Sequence, residues 1–141
     1  SLSKLNYYYD PTPVIGIMLL VFFNDAGSYC VGKLCGKTKL YPKISPNKTW
    51  EGSIGGAVVS FLVYFPVRYY LICFTNTQWT VILVISVICG TVGDLIESMF
   101  KRNLNIKDSG KVLPGHGGIL DRCDGLLFSI PLIYTYIIIT L

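Results

Sequence analysis

Charge is scarce in this sequence. Only 14% of its 141 residues are Asp, Glu, Lys or Arg, against about 25% in an ordinary soluble domain. A fully water-facing surface is hard to build from so few charges. Disorder is excluded as well, because hydrophobic types make up 52% of the chain and disordered segments are poor in them. The sequence has no internal repeat and no low-complexity tract. It has no C-x-x-C pair among Cys30, Cys35, Cys73, Cys89 and Cys123, so a structural zinc site has no support. An odd number of cysteines spread through apolar runs gives no disulfide framework either, and buried free thiols are expected. The G-x-x-x-x-G-K-[ST] string of a P-loop is absent.

What is present is apolar sequence, with a mean hydropathy of +0.54. At about 20 residues per membrane-crossing helix, the length accommodates four crossings with loops. The expectation is an all-α, polytopic membrane bundle in a single domain over residues 1–141. The chain opens on Ser1-Leu2-Ser3 and ends inside an apolar run, so it reads as the C-terminal part of a longer protein. A cleaved leader over Val14–Phe23 is disfavoured, because Asn24 and Asp25 interrupt it and apolar sequence resumes beyond them.

Ser1–Pro13, with Tyr7, Tyr8 and Tyr9, reads as an interfacial lead-in. The predicted crossings are Val14 to Cys35, Gly52 to Phe74, Trp79 to Met99 and Ile119 to Leu141. Gly55-Gly56 near the start of the second crossing allows close helix packing in lipid. Between the crossings lie a polar loop over Gly36–Lys48, a short loop over Thr75–Gln78 and a glycine- and lysine-rich loop over Lys101–Gly118. The first polar loop carries Lys37, Lys39, Lys43 and Lys48; the last carries Lys101, Arg102, Lys107 and Lys111. Four crossings put both on one side, which the positive-inside rule makes cytoplasmic. The formal net charge of +4 is then concentrated on one face, which attracts lipid headgroups or polyphosphate. No nucleic-acid partner is expected.

Five of the eight acidic residues fall within positions 94–124: Asp94, Glu97, Asp108, Asp121 and Asp124. An Asp at the centre of a membrane helix costs about 2.5–3.5 kcal/mol on insertion scales, so such groups usually face a cavity and mark a functional site. Asp121 and Asp124 share a helical face. Asp94, Glu97, Ser98 and Lys101 share another. Two acidic faces at one membrane boundary suit a hard cation held by oxygen, magnesium or manganese. The plain alternative is that Arg122 and the Asp pair are interfacial charges. Lys101, Arg102, Lys107 and Lys111 suit phosphate oxygens, and Pro114-Gly115-His116-Gly117-Gly118 lets backbone approach a ligand closely. Taken alone, a lone loop histidine such as His116 is more often a surface group than a catalyst. Ser45–Gly52 forms a turn into the second crossing, with Thr49 or Asn47 as the helix cap, Glu51 suited to the helix dipole, and Lys48 either interfacial or a phosphate ligand. Asp25 either pairs with Lys33 or lines a cavity.

The positions Ser98, Lys101, Arg102, Lys107, Asp108, Gly110, Leu113, Pro114, His116, Gly117, Gly118, Asp121, Arg122 and Asp124 together closely resemble the signature of the phosphatidate cytidylyltransferase (CDP-diacylglycerol synthase) family. Asn24-Asp25-Ala26-Gly27-Ser28-Tyr29, Ser45-Pro46-Asn47-Lys48-Thr49-Trp50-Glu51-Gly52 and Gly93-Asp94-Leu95 resemble its other motifs. Two positions depart: Cys123 stands where the family prefers an aliphatic residue or threonine, and Asn47 where lysine is frequent. The family also has further N-terminal helices that this sequence lacks. The resemblance implies an integral membrane enzyme that joins CTP and phosphatidate into CDP-diacylglycerol and pyrophosphate, in phospholipid biosynthesis. It implies Asp94, Asp121 and Asp124 as ligands of magnesium or manganese, with potassium as a second cation. It further implies Lys101, Arg102 and Arg122 in the catalytic set, Lys48, Ser98, Lys107, Asp108, His116, Gly117 and Gly118 in the substrate-binding set, and a homodimer. The expected location is a bacterial inner membrane rather than the endoplasmic reticulum, with the active site facing the cytoplasm.

The chemistry agrees with that reaction. The lipid phosphate is already an anion at neutral pH, so the obstacle is repulsion between anions rather than weak nucleophilicity. Such transfers rest on positioning and charge neutralisation. The alternatives are a CTP-dependent polyprenol or dolichol-type lipid kinase, a cation transporter using Asp25, Asp94 and Asp121, and an inert helical assembly subunit. The transporter leaves the basic glycine-rich loop unexplained; the assembly subunit leaves the membrane acids unexplained.

Overall fold

The computed structural model describes residues 10–103 and 119–140, with side chains from Gly125 onward in the second stretch. Helix α1 (Thr12–Cys35) begins with proline in its first turn, where the missing N–H costs nothing. Just before it, hydrogen bonds from the Thr12 hydroxyl and backbone N–H hold the Asp10 carboxyl below its ordinary pKa. The helix closes with the Gly36 N–H donating to the Gly32 carbonyl at 3.1 Å. A two-stranded antiparallel hairpin follows, β1 (Lys39–Tyr41) and β2 (Ser45–Thr49), with Lys39 opposite Thr49, Tyr41 opposite Ser45 and an irregularity between. Helices α2 (Trp50–Tyr70), α3 (Asn76–Asn103) and α4 (Ile119–Thr140) complete the described chain.

Of these, α1, α2 and α3 are long and apolar enough to cross a membrane, and α4 holds a shorter apolar stretch over Gly125–Thr140. The all-α membrane architecture expected from composition is therefore the observed one, with the hairpin as an addition. That hairpin escapes hydrophobic periodicity because its strands are polar. It is held instead by backbone pairing and by Glu51, whose carboxylate oxygens both accept from the Thr38 N–H at 3.2 Å. Pro46 is tolerated because a two-stranded ribbon leaves each strand an unpaired edge.

Helix boundaries also differ from expectation. The second crossing ends at Tyr70 rather than Phe74. The Leu71 N–H caps onto the Val67 carbonyl at 2.9 Å, and the Leu71 carbonyl is taken by Trp79 Nε1 at 3.2 Å. The third starts at Asn76, set by a reciprocal cap: the Thr75 N–H donates to Gln78 Oε1 at 3.0 Å, and the Gln78 N–H donates to Thr75 Oγ1 at 3.4 Å.

Helix α1 packs antiparallel on α2 through glycines. A Cβ at Gly52 would sit 3.0 Å from the Gly32 Cα, and one at Gly27 would sit 3.2 Å from the Gly56 Cα. Gly55-Gly56 thus serves the close packing expected of it. Helices α3 and α4 form the second antiparallel pair. Gly125 packs on Gly90 near one end of that pair, and Gln78 Nε2 reaches Thr140 Oγ1 at 3.4 Å at the other.

The apolar core, around Ile17, Leu20, Tyr64, Val67, Trp79, Ile82, Leu83 and Ile133, lies at the end remote from the hairpin. Large apolar side chains such as Phe22, Leu62, Ile88 and Tyr134 point outward, as lipid-facing surface does. For the same reason Cys30 and Cys35 are exposed, against the expectation of burial, while Cys73 is half-buried and Cys89 buried. In a bundle that faces lipid, an apolar run says nothing about which side is interior.

Candidate active site

The polar end of the bundle encloses a cavity of about 570 Å³. Helix α1 contributes Asn24, Asp25, Ser28 and Lys33. The hairpin region contributes Lys37, Lys39, Asn47, Lys48 and Thr49, the start of α2 contributes Gly52 and Ser53, and α3 contributes Gly90, Thr91 and Asp94. Four lysines and two aspartates thus share one space. Three motifs that are distant in sequence meet there: the Asn24–Tyr29 string, the Ser45–Gly52 turn and Gly93-Asp94-Leu95.

Local structure explains each placement. Thr49 caps α2, its Oγ1 accepting the Gly52 N–H at 3.1 Å, which leaves the side chain of Lys48, one residue earlier, to reach across. Its Nζ forms an ion pair with Asp94 Oδ2, both side chains being about 22% exposed. Glycines bring α1 close enough to share the cavity. A Cβ at Gly90 would lie 2.5 Å from Asn24 Nδ2 and 3.5 Å from Asp25 Oδ1, and one at Gly125 would lie 3.3 Å from Asp25 Oδ2. Asp25 therefore lies beside the glycines of both α3 and α4. Of its two expected roles, the cavity lining is the observed one. Lys33 lies two turns along α1, about 12 Å by helical rise, and its ammonium sits over the Tyr29 ring at 6.0 Å.

The basic end of α3 holds the hairpin in place. Arg102 Nε donates to the Ile44 carbonyl at 3.0 Å. Lys101 pairs with Glu97 one turn earlier at 2.6 Å. Ser98 Oγ donates to the Asp94 carbonyl at 2.9 Å. Among the described residues, Lys48 and Asp94 line the cavity, while Ser98, Lys101 and Arg102 flank it on the last turns of α3. Lys107, Asp108, His116, Gly117 and Gly118 lie outside the described residues, as do the side chains of Asp121, Arg122 and Asp124. The α4 backbone is informative all the same. Antiparallel pairing that sets Gly125 on Gly90 puts position 121 level with Asp94, one turn toward the basic end.

Most of the residues that line this cavity stand outside the expected site set, among them Asn24, Ser28, Lys33, Lys37 and Lys39. Asn24 is 2% exposed, with no hydrogen-bond partner for its Oδ1 among the described residues, and Ser28 lies one turn further along α1. A polar pair inside an otherwise apolar run was the available signal. Among the described residues no three His, Cys, Asp or Glu side chains gather into a metal cluster. Asp94 nonetheless has the chemistry of a cation ligand, since a positive group, the Lys48 ammonium, sits against its carboxylate.

A model of the cytidylyltransferase family matches residues 5–140. A phosphatidate cytidylyltransferase of Staphylococcus haemolyticus (strain JCSC1435) is 48% identical over 122 residues, 85% of this chain and 46% of the relative. The enzyme of the same name from Staphylococcus epidermidis (strain ATCC 35984) is 46% identical over 129 residues, 90% of this chain and 49% of the relative. That from Staphylococcus aureus (strain COL) is 46% identical over 123 residues, with 85% and 46% covered. The chain spans about half the length of the curated relatives it matches. With the family model matching nearly end to end and the motifs meeting around one polar cavity, this chain belongs to the cytidylyltransferase family.

Proposed function

We propose that this chain forms the catalytic part of a phosphatidate cytidylyltransferase, which transfers the cytidylyl group of CTP to phosphatidate and releases pyrophosphate. The observation that carries the proposal is the cavity at the basic end of the bundle, where lysines and aspartates from α1, α3 and the hairpin region share one space. CTP enters such a site from water while the acyl chains of the lipid stay in the bilayer. Relatives at 46–48% identity carry the phosphatidate cytidylyltransferase name, which supports the substrate pair.

In this reading Lys33, Lys37, Lys39 and Lys48 receive phosphate oxygens in the cavity, and Lys101, Arg102, Lys107 and Arg122 neutralise the leaving pyrophosphate. Ser98, Asp108, His116, Gly117 and Gly118 contact the nucleotide. Asp94, Asp121 and Asp124 would hold a magnesium or manganese ion, with potassium as a second cation. Such an ion supplies charge neutralisation between the two phosphates when bound. The residues of the chain orient the phosphatidate oxygen in line with the α-phosphate of CTP; the new P–O bond forms as the bond to pyrophosphate breaks. The enzyme is proposed to work in a bacterial inner membrane with its basic face in the cytoplasm, which the clustered lysines and the bacterial relatives support, and as a homodimer, which rests on the family resemblance alone.

The test is full-length purified protein with phosphatidate, magnesium and CTP labelled either in the cytosine ring or at the γ-phosphate. Cytosine label in the lipid fraction is the expected result. Label arriving only from the γ-phosphate would identify a lipid kinase instead, and label from neither would remove both readings.

A further inference from the structure

We propose that Tyr29 is the seat of the nucleobase, its ring stacking on the cytosine of CTP while the lysines beyond it take the phosphates. The inference rests on the cytidylyltransferase reading and adds to it the part of the site that holds the base. Asp25, Tyr29 and Lys33 stand at i, i+4 and i+8 on α1, so they share one face of the helix, and all three line the cavity. Among the described residues Tyr29 is the only aromatic in that lining. Its side chain is 69% exposed, and the Lys33 ammonium lies over the ring at 6.0 Å from the centroid.

Exposed rings on a membrane helix ordinarily face acyl chains, as Phe22 does on the same helix. Tyr29 differs in its neighbours. One turn before it stands a cavity aspartate, and one turn after it a cavity lysine. A ring between two charged groups on one helical face belongs to the polar space rather than to lipid, where charge is costly. A nucleoside triphosphate asks two things of its site. The phosphates ask for cations, which Lys33, Lys37 and Lys39 provide. The base asks for a flat apolar surface, and stacking on an aromatic side chain is the general way proteins hold an unpaired base. In the described lining that surface is Tyr29. Lys33 joins the two functions, because its ammonium rests against the ring by a cation–π contact and belongs to the phosphate-binding lysines. With the ammonium on one side, most of the ring is still open to a flat partner. Stacking tolerates any base, so Tyr29 supplies affinity for a nucleobase and leaves the choice of cytosine to groups that meet its edge.

Binding measurements on full-length protein test the seat without turnover. The protein is held in phosphatidylcholine nanodiscs with magnesium and no phosphatidate, so that CTP has no acceptor. The two titrants are CTP and inorganic tripolyphosphate, which carries the same phosphate chain and no base. Tyr29→Ala is expected to bind CTP about ten-fold more weakly than the unmodified protein, and tripolyphosphate with unchanged affinity. Tyr29→Phe keeps the ring and is expected to bind both as the unmodified protein does. Unchanged CTP affinity in Tyr29→Ala overturns the seat. An equal loss for tripolyphosphate overturns it too, since the residue would then be a structural support. An equal loss of CTP binding in Tyr29→Phe also overturns it, since the hydroxyl rather than the ring would then hold the ligand. Failure of the unmodified protein to bind CTP would overturn the cytidylyltransferase reading and the seat with it, whereas CTP binding indifferent to Tyr29 overturns the seat alone.

Discussion

At the scale of single residues, the site separates groups that line the cavity from groups that support it. Arg102 spends its Nε on the Ile44 carbonyl, which leaves the terminal nitrogens of the guanidinium for other partners. Arg102→Ala should therefore impair CTP use and also loosen the hairpin. The expected outcome is a raised KM for CTP in kinetic assays together with faster proteolysis within residues 39–49, while membrane insertion is unaffected. Asp121→Ala and Asp124→Ala should each abolish turnover with CTP and magnesium, with insertion and expression unchanged. Full activity in either variant would remove it from the cation site. Asp25 and Asn24 show how far single residues were legible. The sequence placed both at membrane depth, where polar groups are costly, but only three-dimensional packing against Gly90, Gly125 and Gly56 reveals that they share the cavity with Asp94. Helical spacing relates residues on one helix. It is blind to which face meets another helix.

At the scale of elements, glycine decides how closely helices approach and capping decides where they begin. A Cβ on residue 52 would lie 2.8 Å from the Ser28 carbonyl oxygen and 3.0 Å from the Gly32 Cα, both backbone atoms that cannot step aside. Gly52→Val should destabilise the α1–α2 pair by about 1–3 kcal/mol, as overpacking does, seen as a lower melting temperature in detergent. Thr49→Ala removes the α2 cap and should cost about 1 kcal/mol by the same measurement. Four helices were legible because long apolar runs have one explanation in water and another in lipid, and their lengths chose lipid. The Thr75–Gln78 cap was missed, although Thr-x-x-Gln is a helix-start pattern. It lay in what reads as a short loop before Trp79, so it moved the start of α3 by three residues. The hairpin was not legible. Its residues are polar, its pairing is made by backbone, and the Ser45-Pro46-Asn47 string carries turn signals whether or not strands flank it.

At the scale of the whole molecule, polarity divides along the bundle axis. Lysines 37, 39, 43 and 48 cluster at the hairpin end, and the apolar core of Leu20, Trp79, Ile82 and Ile133 occupies the other. If the basic end is cytoplasmic, a cysteine introduced at Lys43 should react with a membrane-impermeant maleimide only in inside-out vesicles, and one at Asn76 only in right-side-out cells, in a background with the native cysteines replaced. The reverse labelling pattern would invert the topology. The same division has a mechanical corollary. Side chains of all four helices meet around Trp79 at one end, while the other end holds the cavity. The fully buried indole of Trp79 is thus a shared keystone, and Trp79→Ala should weaken the whole assembly by about 3–5 kcal/mol rather than one helix pair, read as a single broadened melt in detergent.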